Sequence, residues 1–278
     1  MREDIRLIAL DLDGTVFTTD KRITDRTLAA VKAALDAGIV VMTASGRQLA
    51  GLPKSLLAVP GMRYAMTSNG GAVVDIRTGE AVYKDLLPYE QACQVARVLA
   101  GADAMAEYYH EGKSYADRAG FEKTLRSDLM PAWFKDYVKI SRIPVDDFTE
   151  RVLSGQCHIE KFLISFEDME ERERVRKALL AIPHLTIASG NDFNIEVNSE
   201  TGTKGHTLTA FAAALGISPG QIMAFGDSEN DLTMLRAAGH AVAMANAIPE
   251  AKAVADEVTL SNDEDGVALV IERLLAEL

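Results

Sequence analysis

Near both ends of the chain, short apolar runs alternate with amphipathic segments. Residues 5–10, 39–44 and 222–225 are largely apolar runs that end in Gly, Ser or Asp, which predicts short buried strands. Between the first two runs, Thr24 begins an amphipathic segment as a predicted N-cap, and Gly38 ends it. The order strand, helix, strand predicts a right-handed parallel unit, so the expected fold class is α/β.

Other segments in these two parts of the chain continue the same α/β pattern. Turn residues at 68–71 and 78–79 separate short apolar runs and predict a hairpin that extends from the sheet. The remaining predicted elements are helices over 47–58, 204–215, 229–238, 249–254 and 263–278, and strands over 64–67, 72–74 and 241–243.

The segment between residues 84 and 193 has a different texture. It contains Trp133 and most of the tyrosines, and its helix and strand patterns alternate less regularly. We predict an inserted α/β domain over 84–193, and a main domain built from residues 1–83 and 194–278. Within the insertion we predict helices over 88–99 and 168–180, a hairpin over 105–115, and strands over 159–166 and 185–188, with a closing strand over 193–197 at its end.

Composition narrows the class of protein. The 278 residues carry a formal net charge of −12, which argues against a nucleic-acid partner because such proteins need a basic face. Cys93 and Cys157 are far apart in no metal-like spacing, so buried thiols in a reducing compartment are expected. No apolar run reaches transmembrane length, and the first apolar run is too short for a signal peptide. We expect a cytoplasmic protein with no membrane partner.

Two carboxylates follow the first apolar run. Asp11 and Asp13 stand where the predicted strand ends, and open α/β sheets bind ligands beyond the carboxyl ends of their strands. In an extended chain, residues two apart point the same way, so these charges would crowd one space unless a cation or a proton lay between them. Mg²⁺ is the expected cation, because it prefers oxygen ligands and needs only one or two carboxylates. Alone, however, the same letters also occur in calcium loops and ordinary turns.

Three further segments repeat this arrangement. Asp227 and Asp231 follow the apolar run at 222–225, so four carboxylates are expected to converge at one edge of the sheet. Lys204 opens a helix whose free amides favour an anion, and Ser45 and Gly46 offer a hydroxyl and an amide after another strand. Acidic ligands beside Ser, Lys and amides predict a site for a phosphate group bridged to Mg²⁺.

These residues resemble the four motifs of the haloacid dehalogenase superfamily. The insertion after the second motif is similar to that of the Cof-like phosphatases with a type IIB cap. The resemblance implies a Rossmann-like catalytic core, a cap that determines substrate specificity, and hydrolysis of phosphomonoesters through an aspartyl-phosphate. The matching segments are residues 11–15 (DLDGT), 45–47 (SGR), 204–205 (KG) and 226–231 (GDSEND).

The resemblance also implies roles for individual residues. Asp11 would be the nucleophile and a metal ligand, and Asp13 the general acid and base, with its backbone carbonyl on the metal. Asp227 would complete the protein ligands of Mg²⁺, and Asp231 would bind it through water or orient Lys204. The residues expected to bind the phosphate or the substrate are Leu12, Ser45, Gly46, Arg47, Lys204 and Asn230.

The expected substrate is a small phosphorylated metabolite, with sugar phosphates favoured by the resemblance. A phosphomutase or phosphotransferase would use the same intermediate, and a non-catalytic phosphometabolite-binding protein would keep the fold without turnover. Arg47 is equally compatible with a surface helix position, and the face to which Lys161 points cannot be assigned from its apolar neighbours. The oligomeric state, monomer or homodimer, is left open.

Overall fold

The computed structural model describes residues 4–190 and 192–278 of the chain. It divides into two compact units, and both contain helices and strands, which confirms the predicted α/β class. The first unit comprises the chain up to Arg47, Leu52–Lys84 and Thr203–Leu278. The second unit comprises Gln48–Gly51 and Asp85–Gly202.

The elements are numbered along the whole chain, and those of the first unit come from both of its ends. The strands are β1 (Leu7–Leu10), β2 (Val40–Ala44), β3 (Tyr64–Thr67), β4 (Ala72–Asp75), β5 (Glu80–Lys84), β12 (Ile222–Gly226), β13 (His240–Ala243) and β14 (Glu257–Val258). The helices are α1 (Asp25–Asp36), α2 (Lys54–Leu57), α8 (Lys204–Ala214), α9 (Leu232–Ala237), α10 (Pro249–Val254) and α11 (Gly266–Ala276).

The first unit is built on an eight-stranded sheet in the order β14-β13-β12-β1-β2-β3-β4-β5. The strands from β14 to β3 run parallel, and β4 and β5 add an antiparallel hairpin at one edge. Leu10, the last residue of β1, is paired with Phe225 of β12 and Thr43 of β2. The carboxyl ends of these three strands therefore lie at the same edge of the sheet, as the apolar runs predicted.

The predicted helix caps explain where α1 begins and ends. The Thr24 side chain accepts a hydrogen bond from the backbone N–H of Thr27, and Gly38 adopts a left-handed φ of 85° after the helix. The helix predicted over 47–58 is wrong. That segment holds one 3₁₀ turn at Leu49–Gly51 and the single-turn α2, because Pro53 has no N–H and interrupts the helical hydrogen bonds.

The second unit contains a six-stranded sheet. Its strands are β6 (Met105–His110), β7 (Lys113–Asp117), β8 (Arg142–Val145), β9 (Lys161–Ser165), β10 (Leu185–Ala188) and β11 (Asn194–Ser199). Its helices are α3 (Tyr89–Leu99), α4 (Arg118–Arg126), α5 (Ala132–Ser141), α6 (Phe148–Leu153) and α7 (Met169–Leu180). The strand order is β10-β11-β9-β6-β7-β8. Because β11 pairs with β9 and β10, the insertion continues to Gly202 rather than ending at the expected residue 193.

The two faces of this second sheet differ in chemistry. One face packs against α3, α6 and α7 through apolar side chains such as Tyr108 and Phe162. The other face carries two buried ion pairs, each with a nitrogen to oxygen distance of 2.7 Å: Lys161 with Glu196, and Arg142 with Glu107. Lys161, whose direction the sequence left open, therefore belongs to the charged face.

The structure gives the burial of the two cysteines and the lengths of the helices. Cys93 is buried and Cys157 half-buried, and both are free thiols in the described chain. Within residues 4–190 and 192–278, no helix combines the length and the apolar character needed to cross a membrane.

Candidate active site

The site residues of the first unit emerge from the carboxyl ends of neighbouring strands. Asp11 follows β1, and its backbone N–H donates to the carbonyl of Phe225 in β12 at 3.1 Å. Ser45 follows β2, and its N–H donates to the carbonyl of Met66 in β3 at 3.2 Å. These bonds continue the sheet for one residue and fix where the two side chains begin.

The Asp11 carboxylate is buried and held at one oxygen. Its Oδ1 accepts a hydrogen bond from Lys204 Nζ at 2.7 Å, whereas Oδ2 is buried and has no hydrogen-bond partner among the described residues. Burial raises the pKa of Asp11 well above its usual range, the charge of Asp231 adds to this effect, and Lys204 opposes it. One oxygen is thus oriented and the other is left for an electrophile or a metal ion.

Lys204 is a fully buried cation at the start of α8. Thr203 caps the helix by accepting a hydrogen bond from the His206 N–H at 3.2 Å, which sets the position of the next residue. Lys204 Nζ donates to Asp11 Oδ1 and to Asp231 Oδ1, both at 2.7 Å. Burial alone would lower the pKa of Lys204, but the charges of Asp11 and Asp231 outweigh it and raise the pKa. The ammonium group therefore stays charged.

Asp231 uses both of its oxygens within the protein. Oδ1 accepts from Lys204, and Oδ2 accepts from the backbone N–H groups of Asp227 and Ser228, each at 3.0 Å. The Ser228 hydroxyl lies 3.2 Å from Oδ2 and shares its single proton between this oxygen and Asn230 Oδ1, which is nearer at 2.8 Å. Of the two roles expected for this residue, these contacts support orientation of Lys204. Its contribution to metal binding stays a prediction.

Three carboxylates form a cluster with the donor chemistry of a magnesium site. Oxygens of Asp11, Asp227 and Asp231 lie within 4.8 Å of one another. Burial, followed by the charge of Asp231, raises the pKa of Asp227 to about 7. Gly14 has a φ of 88°, and a Cβ there would lie 2.3 Å from Asp227 Oδ2, so any larger residue would strain the backbone and displace this carboxylate. The crowding of the three carboxylates, the raised pKa values of Asp11 and Asp227, and the buried Asp11 Oδ2 without a hydrogen-bond partner among the described residues fit a hard divalent cation.

Three of the four carboxylates that we expected to converge form the cluster. The fourth, Asp13, pairs instead with the side chains of Arg47 and Lys21. Arg47 forms a two-bond pair with Asp13, with nitrogen to oxygen distances of 2.7 Å, and Lys21 Nζ lies 2.9 Å from Asp13 Oδ1. Strand β1 ends at Leu10, so the alternation of an extended strand does not extend to Asp13. Burial opposes ionisation, but Arg47 and then Lys21 outweigh it and lower the pKa of Asp13.

The expected phosphate-binding residues lie around this cluster. Ser45 is buried, with its hydroxyl accepting from the Arg47 N–H at 3.2 Å, and Gly46 lies between these two residues. Leu12 follows Asp11 directly and is fully buried. Asn230 donates from Nδ2 to Asn69 Oδ1 at 3.2 Å. The structure gives Arg47 a partner in Asp13, and contact of these residues with phosphate stays a prediction.

Sequence reasoning missed Lys21 and Asn69. Lys21 lies in a polar segment of the chain and belongs to none of the four motifs, so nothing in the sequence indicates that it pairs with Asp13. Asn69 belongs to a Ser-Asn-Gly-Gly segment that predicts a turn, and the same letters occur in turns without any function. The available signal was its position after β3, at the same edge of the sheet as Asp11 and Ser45.

Comparison with known proteins agrees with this geometry. The family model for haloacid dehalogenase-like hydrolases matches residues 8–271, which include all of the site residues described above. The chain belongs to the haloacid dehalogenase-like hydrolase family. The expected family is confirmed, and the chain is a hydrolase by membership.

Three relatives of this haloacid dehalogenase-like hydrolase cover nearly its whole length. The 5-amino-6-(5-phospho-D-ribitylamino)uracil phosphatase YwtE of Bacillus subtilis is 31% identical, over 98% of this chain and 99% of the relative. A haloacid dehalogenase-like hydrolase structure from B. subtilis has a TM-score of 0.84 at 27% identity, covering 97% of this chain and 100% of the other. The structure of a subclass IIB sugar phosphatase has a TM-score of 0.79 at 24% identity, covering 96% and 98%. The fold is therefore that of subclass IIB.

Proposed function

We propose that this hydrolase is a Mg²⁺-dependent phosphatase that acts on small phosphorylated metabolites, with sugar and sugar-alcohol phosphates as the substrate class. The observation that carries the proposal is the Asp11 carboxylate, whose Oδ1 is held by Lys204 at 2.7 Å while its buried Oδ2 has no partner in the described chain. A carboxylate oriented in this way is suited to nucleophilic attack on phosphorus.

The reaction would proceed in two half-reactions. The Asp11 carboxylate attacks phosphorus, the bond from phosphorus to the alcohol oxygen breaks, and Asp13 gives a proton to that oxygen. Water then attacks the aspartyl-phosphate, Asp13 takes a proton from the water, and Asp11 is regenerated as inorganic phosphate leaves. The Lys204 ammonium stabilises negative charge on the phosphoryl oxygens without needing to move. Arg47 and Lys21 lower the pKa of Asp13 and favour the ionised form that the second half-reaction uses. Proton donation in the first half-reaction therefore requires Asp13 to separate from these two cations.

A metal ion is expected to assist the protein groups. Asp11, Asp227 and the backbone carbonyl of Asp13 would hold Mg²⁺, with Asp231 orienting Lys204. When bound, the ion supplies positive charge for the phosphoryl oxygens. Ser45, Gly46, Leu12, Arg47 and Asn230 are the proposed contacts to the phosphate.

The substrate class rests on similarity and on the composition of the site. The relative YwtE is named for a substrate with a phosphorylated ribityl chain, which is a sugar-alcohol phosphate. The proposed phosphate contacts of the first unit are common to any phosphomonoester. We therefore propose that residues 85–202 act as a cap domain that selects the alcohol. The buried ion pairs Lys161–Glu196 and Arg142–Glu107 make its charged face the candidate region for this selection.

The test is release of inorganic phosphate from a panel of phosphomonoesters that includes aryl, hexose, pentose and ribityl phosphates. We expect turnover with Mg²⁺, loss of turnover with a chelator, and recovery on adding Mg²⁺ again. Asp11→Asn is the matched control, because it keeps the side-chain volume and removes the nucleophile. A new phosphate ester without free phosphate would identify a phosphotransferase or mutase. No turnover of any ester would contradict an enzymatic role.

A further inference from the structure

The buried turn at Ser68–Gly70 connects three parts of the phosphate site. We propose that Asn69 within it is a positioning residue, which orients the side-chain amide of Asn230 for contact with the phosphoryl group. This inference rests on the proposed function, in which Asn230 binds phosphate.

Asn69 and its neighbour are held in an unfavourable backbone conformation. Ser68 has a φ of 56° and Asn69 a φ of 59°, both in the left-handed region that side chains other than Gly rarely adopt. Both residues are buried, with 0% and 4% of their surface exposed. Strained backbone of this kind persists only where the surrounding structure determines it, and it is concentrated at functional sites.

Hydrogen bonds from the turn explain how the conformation is maintained. The Ser68 N–H donates to the Arg47 carbonyl, and the Asn69 N–H donates to the Ser45 carbonyl, both at 3.0 Å. The left-handed conformation therefore directs two successive amides at the segment that carries Ser45 and Arg47. These bonds fix that segment relative to the turn.

The turn also lies against the beginning of α8. The Thr207 hydroxyl donates to the Gly70 carbonyl at 2.8 Å. Gly70 has a φ of 107°, and a Cβ there would lie 2.6 Å from the Thr203 carbonyl oxygen, so a larger residue would separate the two segments. Lys204 is the first residue of this helix, so the turn is also tied to the segment that carries the buried cation.

The Asn69 side chain completes the connection to the fourth motif. Asn69 Oδ1 accepts from Asn230 Nδ2 at 3.2 Å, and Asn230 Oδ1 accepts from the Ser228 hydroxyl at 2.8 Å. A side-chain amide is planar and has two N–H donors. Because Asn69 and Ser228 engage opposite ends of the Asn230 amide, its orientation is fixed and its second N–H has a defined direction. We assign that second N–H to a phosphoryl oxygen.

A purely structural turn makes a different prediction from a positioning residue. Asn69→Gly removes the side chain but keeps a backbone suited to positive φ, whereas Asn69→Ala removes the same bond and adds strain. If Asn69 positions Asn230, both variants weaken phosphate binding equally, and only Asn69→Ala also loses stability. If the turn is only structural, phosphate binding weakens only in the variant that loses stability, Asn69→Ala, and stays unchanged in Asn69→Gly.

The experiment measures inhibition by inorganic phosphate, KM, kcat and thermal stability with Mg²⁺ present. We expect Asn69→Gly to weaken phosphate binding by about tenfold, as for one misplaced hydrogen bond to a charged group, while its melting temperature stays near that of the wild type. Asn230→Ala should have the same effect, and the double variant Asn69→Gly/Asn230→Ala should be no weaker than Asn230→Ala alone. His184→Gly is the matched control, because exposed His184 also has a left-handed φ, of 62°.

Three results would overturn the proposal. Phosphate inhibition of Asn69→Gly within twofold of the wild type would show that Asn69 does not act on the site. Fully additive losses in the double variant would show that it does not act through Asn230. An equal loss in His184→Gly would show a general effect of glycine. If the wild type has no phosphatase activity, the proposed function fails, and calorimetric binding of inorganic phosphate to the same variants still tests the role of Asn69.

Discussion

Exchanging Asp231 for Asn separates structural support from metal binding in the carboxylate cluster. Asp231 accepts a hydrogen bond from Lys204 on one oxygen and, on the other, hydrogen bonds from two backbone N–H groups and a shared one from the Ser228 hydroxyl. Asn has one acceptor atom, so its NH₂ group must face either the Lys204 ammonium or the backbone amides of Asp227 and Ser228. Either choice leaves buried donors without a partner.

The magnitude follows from these contacts. Removing one partner of a buried ion pair costs roughly 3–5 kcal/mol, and an unpaired buried donor costs roughly 1–3 kcal/mol. Part of this is offset, because the charge of Asp231 raises the pKa values of Asp11 and Asp227 and its removal relieves that repulsion. We expect Asp231→Asn to lower the free energy of unfolding of the metal-free protein by about 2–4 kcal/mol.

Asp227→Asn is the matched variant. Asp227 Oδ1 accepts a hydrogen bond from the Thr15 hydroxyl at 3.0 Å, and the amide oxygen of Asn can accept the same bond. We therefore expect the free energy of unfolding to stay within about 1 kcal/mol of the wild type. Mg²⁺ affinity should instead fall strongly, because an expected direct ligand is lost. Urea unfolding in a chelator and calorimetric Mg²⁺ titration give the two readouts. If Asp231→Asn kept wild-type stability and lost as much Mg²⁺ affinity as Asp227→Asn, Asp231 would be a metal ligand and not the support of Lys204.

Three further predictions concern the nucleophile, pH and the second unit. Asp11→Asn should lower kcat at least about a thousandfold in a protein that still folds, and retention of more activity would contradict a covalent mechanism. Because the pKa values of Asp11 and Asp227 are raised in the fold, their contribution to stability is fully present at acidic pH and is lost as the pH rises, for Asp227 through about 7. Mg²⁺ should therefore raise the melting temperature more at pH 8 than at pH 5, and an equal rise at both would exclude these carboxylates as its ligands. Lys161→Ala, which leaves Glu196 buried without its ammonium partner, should cost about 3–5 kcal/mol in urea unfolding. The control is Lys32→Ala, which removes an exposed ion pair with Asp36 and should cost less than about 1 kcal/mol. Equal losses in the two variants would refute the difference between the buried pair and the exposed pair.

The sequence predicted the elements whose boundaries are marked by local chemistry. The apolar run before Asp11 identified β1, and Thr24 and Gly38 identified both ends of α1. Strands β3 and β10 and helix α10 were predicted with their observed bounds, since turn residues or Pro limit each of them. Local signals of this kind act through the backbone and need no knowledge of the tertiary fold.

Other features depend on contacts between distant residues, and these could not be predicted. The segment between residues 118 and 153 contains α4, α5, β8 and α6, and we predicted none of them, although Phe121 and Leu125 in α4, like Phe134 and Val138 in α5, stand at helical spacing. The ion pairs of Asp13 with Lys21 and Arg47 depend on where the chain turns after β1. By contrast, Lys204 and Asp231 were expected in the site from their motifs, although only the structure gives the hydrogen bonds that join them. The break at Pro53 was visible in the sequence and should have been predicted.

The central claim is that Asp11 carries the phosphoryl group during turnover. The most direct measurement is acid quenching of the enzyme within its first turnover of a radiolabelled phosphate ester, followed by proteolysis and identification of the labelled peptide. We predict label on the peptide that contains Asp11 in the wild type, its disappearance as free phosphate forms, and no labelled protein in Asp11→Asn. Release of free phosphate by the wild type at its normal rate, with no label on the protein at any time, would contradict the proposed mechanism.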